Sequence, residues 1–289
     1  MGLTKIINKI KEYGKLVMFS HTVFSLSFAA VSMVLAAKGL PKITTMFWIL
    51  VCFMAARTGA NAINRVIDAE IDARNPRTAT RQIPKGEVKK REVIIFTSIC
   101  FLVMLFGAYK LNWVCLILSP IALFLMIIYS YTKRFTFLCH LILGVTCACA
   151  PVGAWLAVTG KITFIPLIMG VANTLWVAGF DIIYGSQDYD FDKANGLHSI
   201  PAQFGVKNAL LIAMTFHIIT LICLIVIGIL STELSVIYYI GIFLIALLFV
   251  AEYKIVSPKN LTNVNIASYS INQIVSIVLL VFGLLDTLI

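Results

Sequence analysis

The chain has 289 residues, 60% of them hydrophobic and 12% charged, with a formal net charge of +10. A soluble domain carries roughly 45–50% apolar and about 25% charged residues, so this composition excludes an ordinary water-soluble globule. The basic excess comes without an aromatic-interleaved binding module, which argues against a nucleic-acid partner and for membrane topology and anionic lipid as its causes.

The apolar residues fall in nine runs of roughly 20 residues, the length a helix needs to cross the hydrocarbon core. In chain order the predicted spans are 17–37, 45–64, 92–110, 113–131, 138–158, 162–182, 208–230, 234–252 and 265–286. Unbroken runs lack the alternation of a membrane barrel. They predict an all-α polytopic membrane protein, with residues 1–289 as a single transmembrane domain. The first run follows Lys5, Lys9, Lys11 and Lys15 and has no small-x-small cleavage site, so it reads as a retained span and not as a signal peptide. With the N-terminus cytoplasmic, that side holds 18 of the 23 lysines and arginines, the opposite side holds four, and Arg57 lies inside a span. The positive-inside rule favours that orientation, in a bacterial-type inner membrane. The seven cysteines sit inside apolar runs without metal-ligand spacing and read as small packing residues. His21, His140 and His217 lack partner spacing, and only His198 is expected near a site.

Two polar segments interrupt the apolar pattern, both on the predicted cytoplasmic side. The first runs from Asn61 through Asn64, Asp68 and Asp72 to Gly86, the second from Asp181 through Tyr184, Asp188 and Asp192 to Pro201. Of the 13 acidic residues, nine lie within 68–92 or 181–192, so the acids are concentrated where two spans leave the membrane. At about 100° per residue, steps of four and seven stay near one helix face. Asn64, Asp68 and Asp72 therefore form one stripe, and Asp181, Tyr184, Asp188 and Asp192 another. Glu70 and Asp190, offset by two, point elsewhere. Like charges on one stripe repel unless a cation compensates. Either the adjacent arginines supply that compensation on a solvated face, or a hard divalent ion does, and magnesium suits one or two carboxylates plus phosphate oxygens.

At these residues the sequence resembles the UbiA superfamily of intramembrane aromatic prenyltransferases. Asn64, Asp68 and Asp72 match its N-x-x-x-D-x-x-x-D motif, with Arg65 where the family often has aspartate. Arg74 to Gly86 look like the tail of that motif, and Asp181, Tyr184, Asp188 and Asp192, followed by Gly196, Ser199 to Pro201 and Phe204-Gly205, match the second motif. Tyr129 to Arg134 are similar to a third signature. The wording of the motifs is nearest the 4-hydroxybenzoate polyprenyltransferase branch, including menaquinone-pathway relatives. The resemblance implies about nine helices around a central cavity, with polyprenyl diphosphate and an aromatic acid as substrates. It also implies Mg2+ held between the two motifs by Asn64, Asp68, Asp72, Asp188 and Asp192. Asp181 is left as either a metal ligand or the base that acts on the acceptor. Lys133, Lys193, Arg74, Arg134 and Lys85 are the candidates for diphosphate charge. Arg57, two turns deeper than Asn64, is the candidate for the acceptor carboxylate, with Tyr184 and Tyr131 beside the reacting groups. Naphthoate-type acceptors are the alternative within the class. A transporter or cation channel is the alternative outside it, although transporters place ionisable groups in broken helices at the midplane. The residues carry no signal for an oligomeric state.

The stripe assignment has a direct test in prenyl-transfer activity of the purified protein. Asp188→Ala is expected to abolish transfer at any practical magnesium concentration while Asp190→Ala keeps most of it; equal losses would contradict the assignment.

Overall fold

The computed structural model describes residues 12–17 and 22–289, with side chains of the first helix from Leu26 onward; Lys5, Lys9, Lys11 and His21 lie outside the described residues. Long helices follow the apolar runs. They are α1 (Thr22–Ala37), α2 (Ile43–Ile67), α4 (Lys90–Leu111), α5 (Trp113–Thr132), α6 (Cys139–Thr159), α7 (Phe164–Gly185), α9 (Ile200–Leu230), α10 (Val236–Ile255) and α11 (Asn272–Leu288). Two short helices, α3 (Ala69–Arg74) and α8 (Tyr189–Ala194), continue α2 and α7 past the membrane runs. Among the described residues eight helical stretches are long and apolar enough to cross a membrane, and Leu26–Ala37 is a shorter apolar one. Phe47, Ile99, Phe106, Trp113, Phe124 and Phe243 are each more than half exposed on the outside of the bundle. Such a surface suits lipid, where backbone polar groups must be paired within the helices. The chain is a multi-pass membrane protein.

The helices form two groups that share α1 and α6. In the first, α2 packs on α4, α4 on α5 and α5 on α6; in the second, α6 packs on α7, α7 on α9 and α10 on α11, with α1 closing against both α6 and α11. The second group is filled by Phe28, Trp155, Trp176, Phe180, Tyr238 and Phe249. The first encloses a cavity of about 360 Å³. Up-and-down connections bring the C-terminal ends of α2, α5, α7 and α10 to the same end of the bundle as the N-terminal ends of α4, α6, α9 and α11. That end carries both polar segments.

A buried polar network fastens the second group. Trp176 Nε1 donates to Asn272 Oδ1 (2.7 Å), Asn272 Nδ2 donates to Glu252 Oε1 (2.8 Å), and His217 Nδ1 lies 3.0 Å from the Tyr253 hydroxyl and 3.2 Å from Glu252 Oε2. Ionisable groups at this depth are costly unless partnered, and each partner here comes from a neighbouring helix. The network adjoins a π-helical turn, Ile266–Ile271, which leads into α11 and carries Tyr269. Gly205, at φ +77, bends α9 so that its first turn departs from the membrane-crossing part. A side chain other than glycine rarely adopts that conformation.

Close approach of α6 to α7 depends on Gly144, where an added Cβ would overlap the backbone carbonyl oxygen of Thr174. A backbone atom cannot swing aside as a side chain does, and small residues at membrane helix contacts serve this purpose. Gly144→Ala is therefore expected to destabilise the protein by about 1–3 kcal/mol, read as a lower thermal midpoint in detergent. Gly153→Ala on the same helix, where a Cβ meets open space, leaves the midpoint unchanged.

Candidate active site

The first polar segment is built by a change of helix. Asp68 sits between α2 and α3 with φ −88 and ψ 1, and the helical hydrogen bonds run on through the break: Asp68 N–H to Asn64 O (2.9 Å) and Asp72 N–H to Asp68 O (2.8 Å). The second segment passes through a 3-10 turn, Ser186–Asp188, between α7 and α8. In both segments the offset acids fall outside: Asp190 is exposed, and Glu70, 84% exposed, reaches only Lys90 at 3.6 Å. Asp72, Asp188 and Asp192 are buried and Asp68 is partly so.

Each of these four carboxylates has its own cation. Arg134 lies 3.1 Å from Asp68, Arg81 Nη1 donates to both oxygens of Asp72 at 2.7 Å, and Lys133 Nζ lies 2.8 Å from Asp192. Arg77 forks onto Asp188, with Nε to Oδ1 at 2.9 Å and Nη2 to Oδ2. Asp188 Oδ1 also accepts from Asn75 Nδ2 (2.9 Å), and Arg77 Nη1 donates to the Tyr184 hydroxyl (2.6 Å). The tail of the first segment thus grips the second directly. Asn64 Nδ2 donates to Asp68 Oδ2 (2.7 Å), and Ser199 Oγ donates to Asp192 (2.9 Å) while capping α9. The compensation expected on the two stripes is present as arginine and lysine, around carboxylates that are buried or, for Asp68, half-buried. Burial pushes the Asp68 carboxyl up against the pull of Arg134 and Asn64. Burial opposes the charges on Arg77 and Lys133, but Asp188 and Asp192 outweigh it and hold both cations above their ordinary range.

The remaining candidates are placed differently. Arg57 lines the cavity with Asn61, Tyr129 and Cys147, amid otherwise mostly apolar residues. Asp181 accepts from or shares a proton with His140 Nδ1 at 2.7 Å. Tyr184 packs edge-on to Tyr269, with ring centres 4.8 Å apart, and Tyr131 is exposed under the Arg134 guanidinium. Lys193 is exposed and bonds to Tyr189 one turn back; Arg74 is exposed and bonds to the Glu70 carbonyl; Lys85 is exposed on the loop. The structure does not bring these three to the carboxylates, because α3, α8 and the loop turn their side chains outward.

Among the described residues no three His, Cys, Asp or Glu side chains lie close enough to hold a metal by themselves. Asn64 with Asp68, and Asp188 and Asp192 singly, offer the one or two oxygens that magnesium takes when phosphate and water complete its shell. The residues fit an ion shared with a diphosphate and do not fit a protein-only cage.

Comparison with known proteins agrees with this arrangement. Residues 25–276 match the model of the UbiA prenyltransferase family. The chain belongs to that family. It is 29% identical over 262 residues, 89% of its length and 88% of the relative's, to a 4-hydroxybenzoate octaprenyltransferase of Francisella tularensis subsp. tularensis (strain WY96-3418). A 4-hydroxybenzoate octaprenyltransferase of Vibrio campbellii (strain ATCC BAA-1116) is also 29% identical, over 87% of this chain and 89% of that one. The solved apo structure of a UbiA homolog from Aeropyrum pernix K1 superposes with a TM-score of 0.84 at 30% identity, covering 93% of this chain and 98% of that one. A UbiA homolog from Archaeoglobus fulgidus, solved bound to GPP and Mg2+, shares the fold with a TM-score of 0.70 at 20% identity, over 96% and 99% of the two chains.

In this UbiA-family chain, four site residues escaped the reading by spacing. Asn75, Arg77 and Arg81 lie beyond Pro76 or beside it, where helical periodicity ends and only the folded loop decides direction. The proline itself was the available signal, since it stops the helix and lets the arginines fold back. His140 meets Asp181 from another helix, 41 residues away in sequence, and no local spacing signals that contact.

Removing one partner of a buried ion pair leaves the other uncompensated. Arg77→Ala is expected to destabilise by about 3 kcal/mol, seen as a lower melting midpoint in detergent. The double variant Arg77→Ala with Asp188→Ala melts above Arg77→Ala alone, since it leaves no stranded carboxylate.

Proposed function

We propose that this chain transfers a polyprenyl group from a polyprenyl diphosphate to an aromatic carboxylic acid of the 4-hydroxybenzoate type, in quinone biosynthesis, with Mg2+ as cofactor and release of diphosphate. The observation that carries the reading is the position of Arg57. It stands in the wall of a largely apolar cavity, two helical turns deeper than Asn64. An arginine at membrane depth costs at least about 2.5–3.5 kcal/mol and marks function by default; a bound carboxylate offsets that cost. The names of the Francisella and Vibrio relatives and the GPP and Mg2+ bound by the Archaeoglobus homolog support the same chemistry. The lysine and arginine bias supports a cytoplasmic face for the motif end.

The chain's residues divide the work. Asn64, Asp68, Asp188 and Asp192, with Asp72 beside them, would hold magnesium, which would supply charge stabilisation for the departing diphosphate. Arg77, Lys133, Arg134 and Arg81, aligned on the carboxylates and partly shielded from water, would meet the diphosphate oxygens. The allylic carbon–oxygen bond breaks with its electron pair on diphosphate, the allylic carbon bonds to the aromatic ring, and the ring gives up a proton. Asp181 takes that proton. Tyr184 and Tyr269 present their rings to the developing allylic cation. The apolar remainder of the cavity takes isoprenoid.

The test is product mass from purified protein, geranyl diphosphate, magnesium and a panel of aromatic acids. Prenylated 4-hydroxybenzoate is expected, and exclusive prenylation of a dihydroxynaphthoate would move the assignment to that acceptor. Arg57→Met is expected to raise the KM for 4-hydroxybenzoate by about 10–100-fold, the worth of a charge-assisted hydrogen bond, with the KM for geranyl diphosphate unchanged. A change confined to the diphosphate would refute the role given to Arg57.

A further inference from the structure

Asp181 differs from the other site carboxylates in its partner. Asp68, Asp72, Asp188 and Asp192 are met by arginine or lysine, whereas Asp181 is met by an imidazole, His140 Nδ1 at 2.7 Å from Oδ2. The exposures are unequal: the His140 side chain is 6% exposed and that of Asp181 28%. The carboxylate therefore keeps an open side while the ring does not. His140 Nε2 is buried and has no hydrogen-bond partner among the described residues. A buried N–H without an acceptor is more costly than a buried lone pair beside no donor, which assigns the ring proton to Nδ1, directed at Asp181. The space for the ring is made by Gly185 on α7, where a Cβ would stand 2.9 Å from His140 Cε1. α6 and α7 approach closely along this line because Gly144, one turn further along α6, also lacks a side chain.

We propose that His140 is a positioning residue for the transfer reaction: its Nδ1–H holds one oxygen of Asp181 so that the other faces the aromatic acceptor. The inference rests on the reading of Asp181 as the group that accepts the ring proton. In that step the carbon–carbon bond to the allylic carbon has formed, the ring C–H bond breaks with its electrons returning to the ring, and the proton passes to the free oxygen of Asp181. His140 neither gains nor loses a proton. It fixes the direction of the carboxylate by donating to it, as orienting partners of reactive side chains commonly do. Cys139 and Asp181 are the titratable groups that face the ring.

The experiment compares His140→Asn, whose amide nitrogen can take the place of Nδ1, with His140→Leu, which has no donor. Both are assayed with geranyl diphosphate, magnesium and either ordinary 4-hydroxybenzoate or 4-hydroxybenzoate deuterated on the ring. The native protein and His140→Asn are expected to turn over at similar rates without an isotope effect. His140→Leu is expected to lose about 10–100-fold in kcat, with the KM for geranyl diphosphate unchanged and a primary isotope effect from the deuterated ring. Should the leucine variant fail to fold, Gly185→Ala pushes the same ring away while keeping both partners, and the same isotope effect is expected of it. Full activity of His140→Leu, or a loss shared equally by His140→Asn in folded protein, overturns the inference. Asp181→Asn separates the two layers. If it retains full activity, the proton-acceptor reading itself fails; if it is inactive while His140→Leu is normal, only the role of His140 fails.

Discussion

The fork between Arg77 and Asp188 is the contact on which the active end of the molecule depends. It joins the tail of the first polar segment to the heart of the second, and Asn75 and Tyr184 are drawn in by the same two groups. It joins directly two helix ends that leave the membrane separately. Around it the other pairs repeat one pattern, a buried or half-buried carboxylate with a single cation, which for Asp68 and Asp192 comes from a different stretch of chain and for Asp72 from the loop after its own helix. Arg134 and Lys133, adjacent in sequence, serve opposite segments: one reaches Asp68 and the other Asp192. The turn after α5 therefore links both motifs.

This arrangement suits a reaction in which a highly charged leaving group must be gathered at the edge of a low-dielectric medium. The cations are already oriented and partly desolvated, so they reorganise little when charge develops near them. Beneath them the chemistry changes. The cavity among α1, α2, α4, α5 and α6 is lined mostly by Ala, Leu, Ile, Met and Cys, with Arg57 as its charged residue. The four cysteines there, Cys52, Cys115, Cys147 and Cys149, are free thiols that contribute small apolar surface to the wall. Charge at the end and hydrocarbon below match a substrate that is a diphosphate at one end and an isoprenoid at the other.

The second helix group has a supporting part. Its core is dense, and the His217, Glu252, Asn272 and Trp176 network ties four helices at a depth where an unpartnered polar group would be expensive. The π-helical turn beside it sets Tyr269 against Tyr184. That ring contact joins this half to the second motif.

Much of this was legible in the residues taken in order. Eight of the nine apolar runs match stretches long enough to cross a membrane, and the first, whose residues 18–21 lie outside the described residues, is described as a helix over Thr22–Ala37. Two starts differ from the runs: α9 begins at Ile200 because its first turn, bent at Gly205, is polar enough to escape a hydropathy reading, and the last run opens with the π-helical turn before α11. The outward placement of Glu70 and Asp190 also followed from helical spacing, since hydrogen bonding persists through the breaks at Asp68 and Ser186. What spacing could not supply was any contact between segments remote in sequence. The partners of Asp72, Asp188 and Asp181 lie beyond a helix-ending proline or on another helix. Lys193, which shares a short helix with Asp192, faces away from it. Local periodicity is a property of one backbone stretch and is determined by the chain itself. Which cation meets which carboxylate depends on how helices from different parts of the chain pack, and only the tertiary structure decides that.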